Sequence, residues 1–282
     1  MIDDMEAMVY ERLEAWCTHT GNQISDPDNP DSTKARVPTL LLFYRDGLSE
    51  SQFAECREKE IKAVRTAFTR IASKYTPDTT PTLELTFIVA GKRHNTRFYP
   101  KQRGDSCFNP TRPSNINGQG NVRPGLLVSE VITTPGTLNF YLQSHAAIKG
   151  TARSAHYHVL HDDHAWNVLD LADLTHMLCY CFPRATKGVS YAAPAYIADR
   201  LCDRGRVWLK HWTPPKEQFL LPPKDDGKSR TKEEVIEWKR GKAWEVARRR
   251  DAWGPNFNYD PAKGKVRYNP WHPNLDESMF WM

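Results

Sequence analysis

The chain has 282 residues, 39% of them hydrophobic and 11% aromatic, and a formal net charge of +5. That is enough apolar material for one large domain or two small ones, and the mild basic excess permits a polyanionic partner without demanding one. No apolar run nears the ~20 residues of a membrane-spanning helix, the acidic start Met1-Ile2-Asp3-Asp4-Met5-Glu6 is no signal peptide, and the six cysteines form no Cys-x-x-Cys pair. Reduced thiols are therefore expected, in the cytoplasm or the nucleus, rather than a disulfide framework or a zinc site.

Ile2, Met5, Val9, Leu13 and Trp16 lie three or four apart and predict an amphipathic helix. The chain opens directly on that helix, so a piece of a longer protein is expected. Residues 18–37 are polar and predict a loop. Leu40-Leu41-Leu42-Phe43 then read as a strand over 39–45, buried on both faces. Asp46-Gly47 falls at its carboxyl end, where ligands and metals collect in open α/β sheets. Ser49 and Gln52 form a capping box. The helix they open runs from about Glu50 to Lys74, with Phe53, Ile61, Val64, Phe68 and Ile71 inward.

A second apolar strand, Leu83 to Ala90, leads into the basic tip Gly91-Lys92-Arg93-His94-Asn95-Thr96-Arg97. Strand–helix–strand predicts a parallel pair, which sets Asp46 and the basic tip on one edge of the sheet. Residues 100–125 read as loop. Three short strands follow at Leu127–Thr133, Leu138–Leu142 and His156–Leu160. A helix from about Asn167 to Phe182 precedes a last core helix, about 194–206, with Pro194 in its first turn. It carries Asp199, Asp203, Arg200 and Arg204 on neighbouring stripes. These boundaries divide the chain into a core (1–206), a Pro/Lys/Arg-rich insertion or appendage (207–269) and a C-terminal tail (270–282).

Three constellations could carry chemistry. His156, His158, His161 and His164 with Asp162 and Asp163 resemble a metal set in composition, but strand spacing offers no second ligand pair, so polar contacts at a strand end are expected. Asp162-Asp163 suits a cap on the approach to the next helix. Lys92, Arg93, His94 and Arg97 could hold phosphate, as could Arg184, Lys187 and Gly188-Val189-Ser190 before a helix N-terminus. The run Arg248-Arg249-Arg250 reads as a solvated helix face. No phosphate-binding P-loop, nucleophile elbow or dinucleotide fingerprint occurs.

Taken in order, five blocks over residues 1–206 resemble the PIWI domain of Argonaute proteins. They are Phe43-Tyr44-Arg45-Asp46-Gly47-Leu48-Ser49-Glu50-Ser51-Gln52-Phe53, then Phe87-Ile88-Val89 with Lys92-Arg93-His94 and Thr96-Arg97, then Phe140-Tyr141-Leu142 with Ser144-His145-Ala146. Gly150-Thr151-Ala152-Arg153 with His156-Tyr157-His158-Val159-Leu160 is the fourth, and Val189-Ser190, Ala193-Pro194-Ala195-Tyr196 and Arg204 are the last. The end of the chain, from Pro270-Trp271-His272-Pro273-Asn274-Leu275 to Met282, is similar to the C-terminus of filamentous-fungal Argonautes.

The resemblance implies an α/β, RNase H-like mixed sheet with flanking helices, incomplete at its N-terminal edge. It implies guide and target RNA binding in small-RNA-directed gene silencing, with Trp-rich silencing proteins as further partners. It also implies the slicer chemistry of an endoribonuclease, in which clustered carboxylates hold Mg. By the resemblance, Asp46 matches the second Asp of the family's tetrad and Asp199 the final position, both catalytic and metal-ligating. Lys92 and Arg97 match guide-backbone contacts, His145 and Arg153 the seed channel, Arg184, Ser190 and Tyr196 seed-phosphate contacts, and Arg204 an arginine reaching toward the guide 5′-phosphate. The tetrad's first Asp and its Glu would fall before Met1, and Ser129 and Thr134 stand where the family usually has Asp and His. The chain is therefore not expected to cleave RNA by itself. The alternative is a catalytically dead, PIWI-derived protein-interaction module.

Overall fold

The computed structural model describes residues 1–208 apart from 3, 20–21, 27–28, 80 and 108–119, and beyond 208 only 231, 234–235, 238, 241 and 278–279. The expectations for the appendage, the Arg248-Arg249-Arg250 run and the C-terminal tail lie outside the described residues. The chain divides into two compact units, Met1–Ala198 and Asp199–Met282.

The first unit begins with helix α1 (Met5–Thr18), whose Met5, Val9, Leu13 and Cys17 are buried. The polar stretch expected as loop contains an antiparallel pair, β1 (Gln23–Asp26) and β2 (Asn29–Ala35). Polar composition argues against a buried strand, not against a two-stranded ribbon. Strand β3 (Leu40–Asp46) comes next, then a 3₁₀ turn (Glu50–Gln52). The expected capping box forms between Ser49 and Gln52, with the Ser49 amide donating to Gln52 Oε1 at 3.3 Å, and the Ser49 hydroxyl also lies 3.0 Å from that of Ser51.

The long helix expected from Glu50 is broken into α2 (Phe53–Cys56), a π turn (Arg57–Ile61) and α3 (Lys62–Tyr75). After it come β4 (Glu84–Gly91), β5 (Leu126–Val128), β6 (Asn139–Gln143) and β7 (Ala155–Asp162). Helix α4 (Val168–Leu178) is capped by Asn167, whose side chain accepts from the Leu169 amide, and α5 spans Ala193–Trp208.

The main sheet is five-stranded and mixed, in the order β3-β4-β7-β6-β5. β3 and β4 pair in parallel, in a register that puts Asp46 opposite Ala90. β7 is antiparallel to β4, and Gly91 faces His156. Two apolar clusters cover the two faces. Leu85, Phe87 and Val89 of β4 pack with α1 and α3, while Ile88 and Ala90 pack with Tyr157, Leu171, Ala192 and Ala195 beside α4 and the start of α5. This alternation is the period-2 pattern of a central strand.

β3 departs from the expectation of full burial. Its apolar residues do reach both clusters, but it is the edge strand among the described residues, and only Tyr44 is buried. Leu40 is 39% exposed through that open edge. An apolar run reports covered faces; it says nothing about the flank.

In the second unit, Thr231 and Glu234 close a reciprocal capping box, with amide-to-side-chain bonds of 3.0 and 3.2 Å. Residues 234–235, 238 and 241 are helical.

Candidate nucleic-acid interface

The carboxyl ends of β3 and β4 meet because the strands are parallel and in register. Asp46 ends β3, and the Gly47 amide ties the turn to the Ala90 carbonyl of β4 at 3.0 Å. Gly47 has φ +47, a left-handed conformation that glycine adopts without a Cβ penalty. Lys92 follows β4 directly, on the side of Ile88 and Ala90. Its ammonium lies 5.7 Å from the centre of the Tyr191 ring, within cation–π range.

Lys92 is held below the usual lysine range, first by burial, then by the Arg153 guanidinium beside it; the Asp46 carboxylate opposes both. A partly desolvated ammonium near a second cation is a costly arrangement that a bound anion relieves. His94 extends the cluster. Its Nε2 lies 2.9 Å from the Ser154 carbonyl, so that nitrogen carries the proton, and its buried Nδ1 has no hydrogen-bond partner among the described residues. Burial, together with Arg97, Arg153 and Lys92, lowers its pKa. His145, after β6, is lowered to about 4 by burial and by Lys92. Both imidazoles are neutral near pH 7 and serve as hydrogen-bonding groups rather than cations.

The other expected residues spread along the same loops. The Arg97 guanidinium turns back on its own segment and donates to the carbonyls of His94 and Thr96 at 3.0 and 2.7 Å. Arg153 is exposed at the approach to β7, and Arg184 is exposed after α4. Ser190 is half-buried in the loop before α5. The Tyr196 ring stands edge-on to Phe182 and Tyr191 at 4.5 and 4.9 Å, so it also builds the wall behind Lys92. Asp199 and Arg204 belong to the second unit. Asp199 lies 3.8 Å from Arg200, which also reaches Asp203 at 3.6 Å, and Arg204 is exposed.

The structure gives four motif residues, Ser144, Tyr157, Gly188 and Val189, contacts that the sequence did not assign them. The Ser144 hydroxyl donates to the Val189 carbonyl at 2.5 Å, and the Val189 amide donates to the Cys179 carbonyl at 2.9 Å. Together these seat the loop carrying Ser190 and Tyr191 on the end of β6. Gly188 is required there, because a Cβ would meet the Ser144 carbonyl oxygen at 2.5 Å and the Tyr180 ring at 2.8 Å. The buried Tyr157 hydroxyl accepts from the Ala192 amide at 3.0 Å, fixing the entry to α5. Their motifs are visible in the sequence, but these contacts join segments tens of residues apart and no local pattern gives them.

The histidine-rich strand has the polar-contact role expected of it. The Asn139 side-chain amide donates to Thr134 and Thr137, which leaves its Oδ1 to accept from His156 Nε2 at 3.1 Å. His156 Nδ1 then accepts from His158 Nε2 at 3.0 Å. Burial, then the neighbouring imidazoles of His158 and His94, lowers His156 to about 3. Asp162 accepts from Thr86 at 3.0 Å and from the Trp166 amide at 2.9 Å, capping the approach to α4.

The resemblance to Argonautes implies Mg. Among the described residues, no three His, Cys, Asp or Glu side chains are grouped to hold a metal ion. Octahedral Mg needs oxygen donors converging on one point, and the described set does not fit it.

Residues 30–210 match the family model of the Piwi domain. The chain is 40% identical over 209 residues to protein argonaute 18 of Oryza sativa subsp. japonica, which covers 74% of this chain and 17% of that protein. It is 38% identical over 175 residues to protein argonaute 5 of Arabidopsis thaliana, covering 62% and 16%. The chain thus spans about a sixth of the length of the curated relatives it matches. Among solved structures, it resembles the C-terminal lobe of a budding yeast Argonaute, with 29% identity and a TM-score of 0.62 over 74% of this chain and 38% of that one. It is equally similar, at 29% identity and a TM-score of 0.62, to Kluyveromyces polysporus Argonaute with a guide RNA, covering 74% and 23%.

Proposed function

The chain belongs to the Piwi domain family, and on that premise we propose that it binds guide and target RNA in small-RNA-directed silencing. Its mixed sheet has the RNase H-like fold of the Argonaute lobes it resembles. The observation that carries the proposal is the half-buried Lys92 beside Arg153, at the joined ends of β3 and β4. Such a pair suits the phosphate backbone of a single strand, where cations fix register and carry no sequence information. That one of the similar Argonautes was solved with a guide RNA supports the same ligand class.

Cleavage of the target, with Asp46 and Asp199 among the carboxylates, is the finer proposal and belongs to the whole Argonaute-length protein. So do the Trp-rich partners and the cytoplasmic site of action, which rest on the resemblance alone.

The test is fluorescence anisotropy with a short, end-labelled single-stranded RNA over a salt series. Three or four phosphate contacts give a slope of log K against log salt of about −2 to −3. Lys92→Met should weaken binding several-fold and reduce the slope by about 0.7, one single-strand contact. Binding that ignores salt, or that is unchanged in Lys92→Met, overturns the proposal.

A further inference from the structure

Glu60 is the one carboxylate in the core among the described residues, 1% exposed. Four donors converge on it. Arg45 Nε donates to Oε2 at 3.0 Å and its Nη2 approaches Oε1 at 3.5 Å. The Ile2 amide donates to Oε1 at 3.0 Å and the Cys56 thiol to Oε2 at 3.5 Å. The π turn puts it there: the wider turn adds a residue to the helical repeat, so Glu60 and Ile61 both face inward.

Arg45 and Asp46 are neighbours on a pleated strand and point to opposite faces. Arg45 nevertheless reaches past its own residue, and its Nη1 donates to the Asp46 carbonyl at 2.6 Å. The next amide, that of Gly47, is bonded to Ala90 of β4. A buried ion pair is a poor way to gain stability, since apolar residues of similar volume often do as well or better. Its value here is geometric. We propose that Glu60 is a positioning residue: through Arg45 it clamps the Asp46–Gly47 turn onto β4 and so sets where the Asp46 carboxylate stands beside Lys92. The functional meaning of that clamp rests on the RNA-binding reading above; its geometry does not.

The test uses the full chain with Glu60→Gln and the apolar pair Arg45→Met/Glu60→Met. Three quantities are read: the urea midpoint, hydrogen exchange of the Gly47 amide, and affinity for the labelled RNA. The apolar pair should keep the midpoint, yet speed Gly47 exchange at least about tenfold while central β4 amides exchange as before. RNA affinity should fall at least about fivefold with it. Glu60→Gln should show the same exchange and affinity changes together with a lower midpoint, and it serves alone if the apolar pair does not fold. Wild-type Gly47 exchange in a folded variant overturns the proposal, as does restoration of RNA affinity along with the midpoint in the apolar pair. If the unmodified chain binds no RNA, the functional reading fails, and the exchange comparison still decides the role of Glu60.

Discussion

Tyr44 and Thr175 join the strand that carries Asp46 to the helix beneath it, and their hydroxyls are 2.8 Å apart in the core. Burial pushes the Tyr44 phenol up to about 12, with the Thr175 bond opposing, so the pair is two neutral hydroxyls near pH 7. Thr175→Val and Tyr44→Phe each keep the shape and delete one partner. Each leaves a buried hydroxyl unpaired, at a cost of about 1–3 kcal/mol. Tyr44→Phe should sit at the lower end, because Thr175 can turn its hydroxyl toward its own helix backbone. The double variant removes both hydroxyls and should cost less than the sum, by a coupling of about 1–2 kcal/mol. For a unit of this size, 1 kcal/mol moves Tm by about 2–4 °C, so each single variant should lose roughly 2–12 °C. Urea denaturation of the four proteins gives the cycle directly. A coupling below about 0.3 kcal/mol would mean that the hydroxyls do not support one another in the folded state, and would refute the reasoning.

Gly188→Ala should lower the urea midpoint by the equivalent of about 1–3 kcal/mol, because its methyl group would meet the Ser144 carbonyl, a backbone atom with little room to move. RNA affinity should fall with it, since the same loop carries Ser190 and Tyr191; an unchanged midpoint would contradict the close approach. Stability should also fall on acidification. His156 and His145 take up protons near pH 6.5 when unfolded, but only near about 3 and about 4 when folded. The stability they supply at pH 7 is therefore lost progressively below pH 6.5. Discounted for their partial exposure, the two together should cost about 2 kcal/mol between pH 7 and pH 5. A flat pH profile over that range, or one unmoved by His156→Gln, would show that these imidazoles are not held neutral.

Much of the architecture is written locally. The alternation in Leu85 to Ala90, the apolar run before Asp46 and the caps at Asn167 and Thr231 each have short-range causes, and each element formed where those causes act. The basic tip after β4 was legible for the same reason: its place at a strand end follows from strand–helix–strand order. Glu60 was not. Read by charge it belongs on the surface, and only its spacing of four from Cys56 and from Val64, along an apolar stripe, hinted otherwise. The guanidinium that pairs with it there, Arg45, lies 15 residues away.

By itself, then, the sequence determined the elements of the main sheet and its helices, their order and the chemistry available at the strand ends, but not the β1–β2 ribbon, because periodicity, capping and parallel crossover act over a few residues or through simple chain geometry. Tertiary structure alone decided that Gly188 must have no side chain. It also decided that Lys92 would lie close enough to Arg153 and Asp46 to feel their charges. Those outcomes depend on burial and on contacts between distant segments. Desolvation and Coulomb interaction are set by three-dimensional distance, which no local pattern encodes.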